Sequence, residues 1–126
     1  MVRKIMKMKC IDIFEQAKAD LCFDEVGAVS EISQVDKRAV STVNGIYKLI
    51  FFKAGGTGFH PLHTVYDEVD LPEEVIFNCL IPGVASKIAY DYGDGKQQAF
   101  FADIYNQGLR LINRFNQITD VLPNVN

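Results

Sequence analysis

A chain of 126 residues is long enough for one domain with a real core, and 48% of it is hydrophobic. No apolar run is long enough to span a membrane. The net charge is −3; Arg3, Lys4, Lys7 and Lys9 put +4 into residues 1–9, so the rest carries −7 and offers no basic face for sequence-independent nucleic-acid binding. Cys10, Cys22 and Cys79 are an odd number without metal spacing, and read as small buried hydrophobes in a reducing compartment.

Met1 to Lys9 has the charge of a signal-peptide n-region, but no uninterrupted apolar segment follows. It reads as a frayed basic terminus, and Met8 is an alternative start. Residues 10–22 place Cys10, Ile13, Phe14, Ala17 and Leu21 on one face of a short amphipathic helix. Phe23 to Ile32 reads as an irregular link with a brief extended piece at Ala28–Val29. Residues 34–52 read as a second helix, with Ser33 and Asp36 as its start signal. Val35, Ala39, Val43, Ile46, Tyr47 and Ile50 recur along it at three- and four-residue steps. Gly45 in its middle points to a close helix crossing. Leu49 to Phe52 is apolar all round, which suits deep burial or another subunit.

Lys53 to Thr64 (KAGGTGFHPLHT) is the long irregular stretch, read as a mobile loop that offers Phe59 and Leu62 to a neighbour. A small β-hairpin is the alternative, with Ile50–Lys53 pairing against His63–Tyr66. Two antiparallel helices follow, at about residues 72–91 and 95–116, joined by a tight turn at Asp91 to Asp94. Asp70 with Glu73, and Asp94 with Gln97, read as capping boxes. Pro72 suits a first helical position and Gly93 a left-handed helix end. Pro82 presses on the carbonyl of Asn78 and predicts a kink. Ile76, Leu80, Val84, Ile88 and Tyr92 line the first helix; Phe101, Ile104, Tyr105, Gly108, Leu111, Ile112 and Phe115 line the second. Phe100 and Leu109 fall beside that stripe and widen it. The expected class is mainly α: one helical domain over residues 1–116, with two shorter N-terminal helices, the loop or hairpin, and the helical hairpin. Residues 117–126 are expected to form a flexible tail, with Pro123 ending any helix.

No arrangement here calls for catalysis or a cofactor. His60 and His63 form H-x-x-H around Pro61, which argues against a shared helical face; a metal there would need Asp67 or Glu68. Gly55-Gly56-Thr57-Gly58 lacks the lysine of a phosphate loop. The run Asp67, Glu68, Asp70, Glu73, Glu74 is read as acids gathered at a helix N-terminus rather than paired catalytic acids. Phe100, Phe101, Tyr105 and Phe115 lack interleaved cations and read as core rather than base-stacking platform. Arg110 and Arg114 suit the negative end of the last helix.

Asp70-Leu71-Pro72-Glu73-Glu74, Leu80-Ile81-Pro82-Gly83-Val84-Ala85, Tyr92-Gly93-Asp94-Gly95 and Gln98 to Asn106 (QAFFADIYN) together resemble the second half of small bacteriophage head–tail connector proteins. These adaptor or head-completion proteins are similar to the tail accessory factor of short-tailed phages. The resemblance implies a non-enzymatic virion subunit, assembled in the host cytoplasm as a ring of about twelve copies. Its implied partners are further copies of itself, the portal protein, and a tail or stopper protein. DNA would pass through the ring without specific binding, which an acidic surface favours. The family's docking segment corresponds here to residues 117–126, with Ile118, Val121, Leu122 and Val125 as spaced apolar anchors. The alternative is a small cytoplasmic helical adaptor or regulatory protein without a phage role.

Overall fold

Residues 5–9 of the basic segment near the start of the chain form a strand. In the computed structural model, which describes residues 5–21 and 32–118, β1 (Ile5–Lys9) pairs antiparallel with β2 (Glu68–Pro72). Met6 lies opposite Leu71 and Met8 opposite Val69; all four turn inward, and Val69 and Leu71 are fully buried. Lys7 lies opposite Asp70 and Lys9 opposite Glu68, on the outer face. Opposite charges across a strand pair favour the register. The expected frayed terminus is thus corrected over residues 5–9, residues 1–4 lying outside the described ones: Ile5-Met6-Lys7-Met8-Lys9 alternates with the two-residue period of a half-buried strand.

The same pairing corrects the reading of the acidic run. Glu68 and Asp70 belong to a strand, not to a helix N-terminus, and only Glu73 and Glu74 occupy a first helical turn. The capping box at Asp70 does not form. Pro72, extended at φ −57° and ψ 143°, is the N-cap, and no side chain caps the helix.

Helix α1 (Cys10–Asp20) follows β1 directly and buries Cys10, Ile13, Phe14 and Ala17, with Leu21 just beyond. Two of its free N-terminal donors are satisfied, Cys10 N–H by the Asp67 carbonyl and Ile11 N–H by that of Val65, each at 2.9 Å. The link expected over Phe23 to Ile32 lies almost wholly outside the described residues. Helix α2 (Ile32–Lys53) is 22 residues long, against 11 for α1, so it is not one of two short helices. It begins before Ser33, which therefore is not its cap. A methyl on Gly45 would meet nothing within 4 Å, so no helix among the described residues crosses there.

Two helices end in one device. At the end of α2, Gly55 N–H reaches the Phe52 carbonyl and Gly56 N–H that of Phe51, with Gly55 at φ 90°. This is a Schellman motif, in which a left-handed residue lets the chain satisfy the last carbonyls. It also corrects the β-hairpin alternative, because Ile50 to Lys53 is the last turn of α2.

From Glu73 the chain is helical to Asp91, through α3 (Glu73–Val75), a π turn (Ile76–Leu80) and α4 (Ile81–Asp91). Ile81 N–H bonds the Ile76 carbonyl, five residues back. Pro82 has no N–H for Asn78, and its ring crowds that carbonyl in a regular helix. The wide turn is how this helix accommodates it, so the distortion expected at Pro82 is a π turn just before the proline. After α4 the Schellman motif recurs: Gly93 N–H to Tyr90, Asp94 N–H to Ala89, and Gly93 at φ 76°. Helix α5 (Gly95–Ile118) then runs back along α4. Ser86 Oγ–H donates to the Gln98 carbonyl at 3.1 Å, Gly83 sits against Tyr105, and Gly108 sits against Asn78 and Cys79. As α4 is followed toward its start, the partners on α5 advance, so the two are antiparallel. The core joins α1, α2, β2, the π turn and α4, with Ile112 of α5 fully buried.

Candidate interaction surface

The loop after α2 is anchored, and the apolar residues expected to be exposed on it are covered wholly or in part. Asn44 on α2 grips Leu62 from both sides: its Nδ2 donates to the Leu62 carbonyl at 2.9 Å, and its Oδ1 accepts from Leu62 N–H at 2.8 Å. Leu62 and Val65 are buried. Phe59 is half-buried, its ring 5.3 Å from Tyr47 and 5.6 Å from Phe51, with Phe52 at 6.2 Å. Asp67 closes the turn by accepting from His63 N–H at 2.7 Å and Thr64 N–H at 2.9 Å. These bonds favour the ionised carboxylate and hold Asp67 below its usual range, the His63 bond contributing most. Nothing in the sequence marked Asn44 as the residue that orders this loop.

His60 and His63 are both exposed, and no group of three His, Cys, Asp or Glu among the described residues is placed to hold a metal. The glycine run serves the backbone: Gly55 ends α2, and a methyl on Gly56 would lie 2.7 Å from the Phe51 ring. Cys10 and Cys79 are buried thiols, pushed up to about 11 and about 12 by desolvation, with the charge of Asp67 adding to the shift at Cys10. Both stay protonated at neutral pH and are poor nucleophiles. Lys37, Val40 and Ser41 of α2 face residues His63 to Tyr66 across a cleft of about 490 Å³.

What the surface does present is apolar side chains. Leu49 (57% exposed) and Phe52 (49%) stand at the end of α2, whereas Ile50 and Phe51 between them are buried. Phe77 (43%) projects from the π turn. On α5, Phe100 (62%) and Leu111 (42%) are exposed and Ile104 is half-buried, so Leu111 is not on the core face expected for it. Phe101, Tyr105 and Leu109 pack against the core instead. Ile118 closes α5, so the helix runs two residues into the expected tail; Val121, Leu122 and Val125 lie outside the described residues. Comparison with protein-family models, curated proteins and solved structures gave no match to this chain.

Proposed function

We propose that this chain is a non-enzymatic structural subunit of a bacteriophage head–tail connector. It joins further copies of itself in a ring beneath the portal, binds the portal on one side and a tail or stopper protein on the other, and extends the DNA channel. The supporting observation is the exposed apolar surface on two separate elements, the end of α2 at Leu49 and Phe52 and the flank of α5 at Phe100 and Leu111. A ring subunit contributes two different surfaces, one to each neighbour, and exposed large apolar residues gathered in a patch are otherwise a liability. The net charge of −3 suits a channel through which DNA slides. The motifs of β2, α4 and α5 that resemble connector proteins add to this reading.

Negative-stain microscopy of the protein alone and mixed with the portal protein of the same phage tests it. Annular particles seated on the portal ring are expected. A portal that stays bare at saturating concentrations of this protein overturns the proposal.

A further inference from the structure

On α5, residues 100, 104, 107 and 111 follow one another at steps of four, three and four. That is the spacing of a coiled-coil seam. It lies on the outer flank of the helix, beside the face that Tyr105, Gly108 and Ile112 turn to the core. Three of the four residues are apolar: Phe100 and Leu111 are exposed and Ile104 is half-buried. Gln107, the fourth, is exposed, and its amide is held by Asp103 Oδ2 at 3.0 Å. The seam spans about 16 Å of helix axis at 1.5 Å per residue.

The charges beside the seam indicate what covers it. Lys96, Asp103 and Arg110 are spaced by seven and occupy one heptad position flanking the seam; all three are exposed. Consider a second α5 laid antiparallel, with the two-fold axis between residues 104 and 107. Phe100 then meets Leu111 of the other copy, and Ile104 meets Gln107. In that register Asp103 of each copy lies near Arg110 of the other, so two opposite-charge contacts form from one sequence. In a parallel pair in register each of these positions faces the flanking position five residues on in the partner, Gly108 for Asp103, so the contact between Asp103 and Arg110 does not form.

We infer that the free protein forms a two-fold dimer through α5, antiparallel and centred between Ile104 and Gln107, with a second copy of this chain as the occupant of the exposed flank. The helix is already held by its own domain, so pairing costs less ordering than an isolated peptide of this length would require. Four seam layers make a small interface, and its dissociation depends on concentration. The inference stands on α5 alone and does not require the connector reading. If both hold, the dimer and the ring compete for the same flank, and the dimer is the form outside the ring.

Sedimentation equilibrium over a range of protein concentrations tests this. The wild-type chain is expected to pass from monomer to dimer, with no larger closed species. Asp103→Arg alone and Arg110→Asp alone each set like charges together, and each is expected to weaken the dimer at least tenfold. The double variant Asp103→Arg with Arg110→Asp restores opposite pairs and is expected to recover most of the affinity. Both positions are exposed, and circular dichroism verifies that the fold is kept. A wild-type chain that is monomeric at every concentration overturns the inference. So does a dimer that the single charge reversals leave unchanged, or one that the double reversal fails to rescue.

Discussion

Asp70 and Asp94 head the same four-residue pattern, an aspartate with Glu or Gln three places on, and they end in different structures. At Asp94 the cap forms: the carboxylate accepts from Gln97 N–H at 3.1 Å and from the Gln97 side-chain amide at 2.8 Å. Gln97 reaches the Asp94 side chain rather than its backbone N–H, which the Ala89 carbonyl already takes. At Asp70 the same pattern is overridden. The segment extends against β1, the Asp70 side chain turns to solvent opposite Lys7, and its backbone N–H reaches the Tyr47 hydroxyl at 3.4 Å. The difference lies in the neighbours. Before Asp94, Gly93 supplies a left-handed turn; around Asp70, Val69 and Leu71 alternate with it and can be buried only in a strand. A cap is worth about 1 kcal/mol, whereas burying a large aliphatic side chain is worth about 1.5–3 kcal/mol, so burial decides.

The two regions meet at Gly108. A methyl on Gly108 would lie 2.6 Å from the Asn78 carbonyl oxygen, in the π turn that follows the first helix start. Gly108→Ala is expected to cost about 3 kcal/mol in urea unfolding, because backbone rather than a flexible side chain must shift. Leu71→Ala removes a fully buried side chain of β2 and is expected to cost about 2–3 kcal/mol, measured in the same way. At the start of α5, Gly93→Ala forces φ 76° on a residue with a Cβ, and a loss of about 1 kcal/mol is expected.

The two aspartates are expected to differ in what they contribute to stability. Asp94→Ala is expected to lower the melting temperature measurably, and Asp70→Ala to leave it within the spread of ordinary surface substitutions. Equal effects would mean that the shared pattern, not its surroundings, governs both sites. The smallest effect is one of pH. The Gln97 side-chain amide, then the Gln97 backbone N–H, hold the Asp94 carboxyl below its usual value of 3.8. A carboxyl depressed in the folded state stabilises the fold at pH values above the unfolded value. That contribution is lost as pH falls through the lower folded value. Acid titration of Asp94→Asn should therefore show a shallower loss of stability below about pH 4 than the parent chain.

Much of the helical architecture was legible because it rests on local pattern. The face of Cys10, Ile13, Phe14, Ala17 and Leu21, the stripe of α2, and Gly93 as a left-handed stop each need only neighbours within a few residues. Pro82 likewise announced a distorted helix, since a missing N–H is a property of the residue itself. Tertiary structure alone decided the rest. The strand pair joins residues 5–9 to 68–72, and no short window holds both partners, although the Met–Lys alternation of β1 was there to be read. Asn44 lies 18 residues from the Leu62 it clamps, so the order of that loop is a long-range fact. Which flank of α5 stays uncovered is likewise set by how many helices reach it. Phe100 and Leu111 differ from Ile112 in that respect and not in hydrophobicity, and periodicity cannot separate them until the core is assembled.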